Sequence, residues 1–201
     1  MSETSIYGEY LPAMEQIKDE LLKRINELRV RLTQKYGSDP VDHCLARIKS
    51  DESMREKCRR NGIPETTENA LHFFRDAIGL RIVCSFLSDV YTIRDYLIRF
   101  NDLELVEEKD YIRKAKDNGY RSLHLIVKTS QGFFVELQLR TISMDTWAAL
   151  EHQMKYKKGK MASEELIVSE LKRCADELAS TDVSMQTIRD MIFTEEGASV
   201  L

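Results

Sequence analysis

The chain has 201 residues, 42% of them hydrophobic and 32% charged, with a formal net charge of -4 at pH 7. That length supports one real core with helical extensions, while the acidic balance, with a pI near 5.7, argues against a general nucleic-acid coat protein, which needs broad cationic surface. No apolar run approaches the roughly 18 residues of a membrane helix, and Met1 to Tyr10 lacks the basic start and apolar middle of a secretory signal, so a cytoplasmic location is expected, with no membrane partner. Cys44, Cys58, Cys84 and Cys174 are widely separated and form no CxxC pair. Four reduced thiols are therefore expected rather than a zinc site or a disulfide framework.

Leu11, Met14, Ile17, Leu21, Ile25, Leu28 and Leu32 recur at steps of three and four, which predicts one long amphipathic helix over residues 11 to 36. Pro12 suits its start and Gly37 its end. Val41 to Ser50 reads as a short extended segment that delivers Arg47 and Lys49 to one side. Asp51 to Arg60 reads as a helix closed by Asn61-Gly62. Arg47, Lys49, Arg55, Lys57, Arg59 and Arg60 crowd this stretch. Such a run is ordinarily a solvated surface, but Ser50 and Ser53 stand at a helix start whose free N–H groups suit phosphate oxygens.

Thr66 or Thr67 can cap a helix reaching Phe74, and Ile78 to Cys84 follows as a strand rich in β-branched residues, with Asp76 at its mouth. An aspartate there can equally cap a turn. Ser88 is placed as the cap of a helix reaching Arg99, and Leu103 to Glu107 as a short strand. The loop from Lys109 to Gly119 carries a second basic cluster, Lys109, Arg113, Lys114 and Lys116. Ile142 to Lys158 reads as a helix that turns Trp147, Leu150 and Met154 to the core and ends in Lys155, Lys157, Lys158 and Lys160. A last helical segment from Ser163 to Phe193 is expected to break near Ser180 to Ser184, and Glu195 to Leu201 to fray.

The chemistry gathers between these helices. Over residues 120 to 127, Leu123, Leu125 and Val127 point one way and Tyr120, Ser122 and His124 the other. Residues 133 to 140 alternate likewise, with Val135, Leu137 and Leu139 on one face and Phe134, Glu136, Gln138 and Arg140 on the other. Thr129-Ser130-Gln131-Gly132 supplies a hairpin turn. An antiparallel ribbon thus presents a phenol, an imidazole, a carboxylate, an amide and a guanidinium on one surface, a set that suits a nucleotide. Asp76 and Glu136, on or beside strands and flanked by two basic clusters, follow the logic of phosphate transfer. A magnesium ion takes one or two carboxylates plus phosphate oxygens.

The order of elements predicts an α+β fold: a mixed β-sheet packed against helices. Four ordered stretches then carry a family likeness: Arg47-Ile48-Lys49-Ser50, Asp76 to Arg81, Lys116 to His124, and Val135 to Thr141. Together they resemble the synthetase domain of the RelA/SpoT family, and most of all its small stand-alone alarmone synthetases, over roughly residues 10 to 190. The resemblance implies a nucleotidyltransferase-like fold with N- and C-terminal helical arms. It implies a single domain over 1–201, divided into a helix through 36, a catalytic sheet region over 40–141 and helices over 142–201.

It further implies transfer of pyrophosphate from ATP to the ribose 3′-OH of GDP or GTP, giving AMP and ppGpp or pppGpp. By position, Asp76 and Glu136 would hold Mg2+, and Glu136 would also be placed to take the proton of the attacking hydroxyl. Arg47 and Arg81 would flank adenine, with Lys49, Ser53, Lys57 and Arg60 on the ATP phosphates. Tyr120 would stack on guanine, with Lys109, Lys116, His124 and Gln138 lining the acceptor side. Asp42-His43 reverses the His-Asp order of the family's hydrolase domain, so synthesis without breakdown is expected. Relatives of this size resemble homotetramers, and a homo-oligomer is expected here. The alternative is a toxin-like relative that uses tRNA or an adenine nucleotide as acceptor. The acidic pI weighs against a nucleic-acid partner.

Overall fold

A computed structural model describes residues 5–156 and 164–198 of the chain. The first apolar stripe becomes α1, Leu11–Tyr36, closed where Gly37, at φ 74°, donates its N–H to Thr33 O at 2.9 Å. That left-handed backbone costs glycine little, having no Cβ to clash. Met14, Ile17, Leu21, Ile25, Leu28 and Leu32 are all buried, each contributing roughly 1.5–3 kcal/mol relative to exposure. They pack on β1, Val41–Ile48, and β2, Ile78–Cys84. The α1 stripe is thus covered within the chain, which removes it from the grounds for self-association.

Between β1 and β2 runs α2, Asp51–Arg60, capped by Ser50, whose Oγ accepts from Ser53 N at 3.3 Å. After β2 come α3, Leu87–Leu97, then β3, Leu103–Asp110, β4, Leu123–Thr129, and β5, Phe134–Thr141. Two helices follow, α4, Ile142–Tyr156, and α5, Glu164–Ala198. The described strands form a five-stranded sheet in the order β1-β2-β5-β4-β3. Its pairs are antiparallel except β2 with β5, which are parallel, so the sheet is mixed as expected. Leu123, Leu125, Val127, Val135, Leu137 and Leu139 fill the core, and the predicted hairpin closes with Gly132 N donating to Thr129 O at 2.8 Å.

Several local expectations fail for physical reasons. Phe86, not Ser88, begins α3, and its N–H is taken at 3.1 Å by Asp89 Oδ2, three residues on. The segment after Thr66 is helical from Thr67 and widens to π-helix over Asn69–Phe73, with Thr66 Oγ1 accepting from Asn69 N at 3.2 Å as its cap. β3 extends through Asp110, so Lys109 is a strand residue, and β4 begins only at Leu123. Ser122 is fully buried and donates its hydroxyl to Leu139 O at 3.1 Å.

In α4 the inward stripe is Met144, Trp147 and Glu151, while Leu150 and Met154 are exposed. Trp147 Nε1 donates to Leu171 O at 2.8 Å, which selects the 144, 147, 151 row. No break occurs near Ser180 to Ser184. The hydroxyls of Thr181 and Ser184 donate to carbonyls one turn earlier at 3.1 and 3.0 Å, so side chains that read as breakers stay inside the helix. The expected fray at Glu195 is helix through Ala198, and Ser199 to Leu201 lie outside the described residues. The basic run Lys155, Lys157, Lys158 and Lys160 likewise falls outside the side chains described.

Candidate active site

Strand register builds the site. Gly79 on β2 stands between Arg47 of β1 and Glu136 of β5, and Arg81 stands between Leu45 and Gln138. The second row continues outward, since Gln138 opposes His124 of β4 and His124 opposes Lys109 of β3. Four residues expected on both nucleotides, Arg81, Gln138, His124 and Lys109, therefore share one line across the sheet. A cavity of about 130 Å³ opens over β1, β2 and β5, lined by Arg47, Lys49, Asp76, Gly79, Arg81, Glu136 and Gln138 among others. A Cβ built on Gly79 would meet nothing within 4 Å, so the cavity floor is open at that point.

At the β1 end, Lys49 Nζ and Lys57 Nζ both reach Asp76 Oδ2, at 2.5 and 2.7 Å. Burial pushes the Asp76 carboxyl up, but hydrogen bonds from the two lysines outweigh it and hold the group below its ordinary range. Its other oxygen, Oδ1, is buried with no hydrogen-bond partner. Two residues that carry no motif brace this corner. Tyr7, buried, donates its hydroxyl to Lys49 O at 2.7 Å, and Ile6 N donates to Asp51 Oδ1 at the start of α2. No motif in an apolar Ile-Tyr pair signals that contact across 42 residues.

At the β4–β5 end, Glu136 Oε1 faces His124 Nδ1 at 3.1 Å and Oε2 accepts from Gln138 Nε2 at 2.9 Å. Burial raises the Glu136 carboxyl, yet the His124 contact outweighs it and leaves the group below its usual value. Tyr120 OH lies 2.9 Å from His124 Nε2, and burial pushes the phenol up. Lys116 Nζ sits 5.1 Å from the Tyr120 ring centroid and 4.5 Å from that of Tyr111, within cation–π range. Tyr111, which sequence reasoning passed over, also meets His124 edge-on at 5.4 Å. Lys109, half exposed, pairs with Glu107 at 2.9 Å.

Two expected phosphate ligands stand apart. Ser53 is exposed, with its hydroxyl 2.8 Å from that of Ser50, and Arg60, at the end of α2, is exposed one turn beyond Lys57. Neither lines the cavity.

The loop that delivers Tyr120 is pressed against α5. Gly119 has φ 90°, and a Cβ there would lie 2.7 Å from Ala175 Cβ and 3.1 Å from Lys172 Cα. Both the backbone and the space exclude a side chain. Arg121 Nη2 bonds Asp176 Oδ1 at 2.8 Å beside it.

The arrangement offers two carboxylates toward one cavity, lysines and arginines around them, and an aromatic ring on the same face. Such a site can hold phosphates, neutralise them and place a hydroxyl for attack. Comparison with known proteins points to the same chemistry. A model of the region found in RelA/SpoT proteins matches residues 46–161. The GTP pyrophosphokinase YwaC of Bacillus subtilis is 40% identical over 161 residues, 77% of this chain and 76% of that one. The crystal structure of small alarmone synthetase 1 from Bacillus subtilis bound to its product pppGpp matches with a TM-score of 0.78 at 30% identity, covering 91% of this chain and 96% of that one. The structure of that synthetase bound to AMPCPP gives 0.73 at 28% identity, over 92% of this chain and 96% of the other.

Proposed function

This chain belongs to the RelA/SpoT family, and we propose that it is a stand-alone synthetase that transfers pyrophosphate from ATP to the ribose 3′-OH of GDP or GTP, making ppGpp or pppGpp and AMP. The observation that carries the reading is Asp76 and Glu136 on one cavity with Lys49, Arg47 and Arg81 around them. Relatives crystallised with pppGpp and with AMPCPP support guanine on one side and adenine on the other.

Among the described residues no cluster of three or more His, Cys, Asp or Glu could hold a metal by protein groups alone. Two carboxylates, one with a buried oxygen lacking a partner, fit the ion that prefers few protein ligands and several phosphate oxygens. Asp76 and Glu136 would hold Mg2+, which when bound supplies charge neutralisation to the transferred phosphates. Lys49 and Lys57 would exchange Asp76 for ATP phosphates, with Arg47 and Arg81 flanking adenine and Ser53 and Arg60 reached only by a longer triphosphate path. Tyr120 stacks on guanine, Lys109 and Lys116 meet the acceptor's phosphates, and His124 and Gln138 hold Glu136, which takes the 3′-hydroxyl proton. We further propose that the chain acts as one synthetase domain, because a single buried cluster runs from Ile6 to Leu139 and α4 and α5 pack on β5 and α3, and that it works in the cytoplasm. No helix among the described residues is long and apolar enough to cross a membrane.

Incubating pure protein with labelled ATP, Mg2+ and, in turn, GMP, GDP, GTP, ADP or deacylated tRNA tests the reading. Labelled ppGpp from GDP and pppGpp from GTP are expected. Label on tRNA or on ADP alone would replace the acceptor. For assembly we propose a homotetramer held through α5, whose Leu166, Val168, Met185, Ile188, Met191 and Ile192 are exposed and would be buried by a symmetric contact. Light scattering should give about four times 23.4 kDa, and a monomer at micromolar concentration would overturn it.

A further inference from the structure

Glycine stands where the backbone or the packing demands it, and at Gly79 neither does. Gly37 and Gly119 have positive φ, but Gly79, inside β2, does not. Gly119 is also boxed in by α5, whereas a Cβ built on Gly79 would meet nothing within 4 Å. Glycine inside a strand costs conformational entropy and returns no side-chain packing, so the fold by itself favours almost any other residue here. What remains is the close approach of something that is not part of the chain. Gly79 is registered with Arg47 on one side and Glu136 on the other. Cross-strand partners put their side chains on one face, so a side chain at 79 would stand in the cavity that both of them line. Arg47 and Glu136 are two strand spacings apart, roughly 9.5 Å at the backbone, with Arg81 two residues further along β2 and Asp76 just before it. The missing side chain leaves a notch with the bulk of a furanose ring. Because β2 is paired on both edges, its N–H and C=O groups lie in the sheet plane and serve the ladders. The notch floor therefore offers Cα hydrogens and peptide faces, which suit a sugar and not a phosphate.

We propose that Gly79 is a donor-binding residue: the ribose of ATP rests directly on the β2 backbone in the notch between Arg47 and Glu136. The proposal rests on the synthetase reading, in which Arg47 and Arg81 take the base and Lys49 the phosphates. The sugar is the part that joins base to phosphates, and the notch lies between those residues. A side chain at this position would lift the sugar off the sheet and carry the phosphates away from Asp76 and Glu136.

Two substitutions separate the needs of the fold from those of the ligand. Gly79→Ala should melt no lower than wild type, because its methyl enters open space, and a lower midpoint overturns the premise that the fold does not need the glycine. Gly79→Val introduces a good strand former. In calorimetry with Mg2+ it should weaken ATP by about 10- to 100-fold, the range that overpacking a filled site produces. Inorganic tripolyphosphate, which has no sugar, should bind Gly79→Val and wild type equally. Normal ATP affinity in Gly79→Val overturns the inference, and so does a parallel loss of tripolyphosphate, which would put phosphate in the notch. If Gly79→Val does not fold, Gly79→Thr takes its place, and failure of both to fold overturns the premise as well. Wild-type protein that holds ATP but makes no alarmone counts against the reaction and leaves the notch standing. Wild-type protein that holds no ATP removes the donor assignment and the notch with it, a result distinct from a Val variant of normal affinity.

Discussion

The two ends of the cavity hold their carboxylates by different means. Asp76 is held by charge, with two lysine ammonium groups on one oxygen and nothing on the other. Glu136 is held by shape, with an imidazole and an amide on separate oxygens, themselves pinned by Tyr120 and Arg140. Flexible ammonium groups can leave a carboxylate for an arriving triphosphate with little rearrangement. A closed network of directed hydrogen bonds cannot move one member without loosening the others. The donor end is thus built to exchange partners and the acceptor end to keep them.

The strongest test of that contrast is Glu136→Gln. Removing the group that takes the hydroxyl proton should lower turnover by roughly 10² to 10⁴, while ATP binding by calorimetry stays near wild type and the thermal midpoint falls modestly as the carboxylate's hydrogen bonds are lost. Normal turnover would sink the assignment of Glu136. At the opposite end, Lys57→Met deletes one of the exchanging ammonium groups. Its loss of a charge-assisted contact should weaken ATP by about 1.5–3 kcal/mol, with guanine nucleotide affinity unchanged, and equal weakening of both would mean that the ends are not independent. Tyr120→Ala should do the converse, costing GDP or GTP about 1–3 kcal/mol if the ring stacks on the base. A variant that loses ATP to the same degree, or fails to fold, would make Tyr120 a packing residue.

The smallest expected effect is on stability against pH. Asp76 and Glu136 have folded pKa values below their unfolded ones, so their contribution is present above the unfolded values and is lost as pH falls through the folded ones. Asp182 on α5, whose pKa burial raises despite its Thr141 bond at 2.6 Å, has the opposite sign. Its contribution is full below the unfolded value and is lost as pH rises through the folded one. Melting curves from pH 3 to 7 should therefore show Asp182→Asn stabilised relative to wild type toward neutral pH and Asp76→Asn destabilised. The reverse order would mean that neither shift survives in solution.

Much of this was legible in the chain because it depends on near neighbours. The alternation of Glu136 and Gln138 with Leu137 and Leu139, and the stripe from Met14 to Leu32, are set by backbone geometry alone. The residues that resisted reading are those whose roles depend on register or on distant partners. Nothing local tells that Lys109, His124, Gln138 and Arg81 line up across four strands, or that Tyr7 reaches the carbonyl of Lys49. Leu150 looked as suitable for the core as Trp147. Only the α5 carbonyl that receives the indole N–H chooses between their faces. Arg140 was visible as a member of the polar face, but its burial required the loop at Tyr120 and the start of α4 to be in place.

The contact of Gly119 with Ala175 and Lys172 sets an order of assembly during synthesis. By the time Thr141 has been added, all five strands and every residue around Asp76 exist in the nascent chain. The loop carrying Tyr120 does not yet have the surface against which it is packed, because that surface lies more than 50 residues downstream of Gly119, on α5. Chains emerge N-terminus first at about 5–20 residues per second, so the ATP end can settle seconds before the guanine end. A ribosome that stalled or terminated between α4 and α5 would release a polypeptide with its donor residues complete and its acceptor loop unsupported.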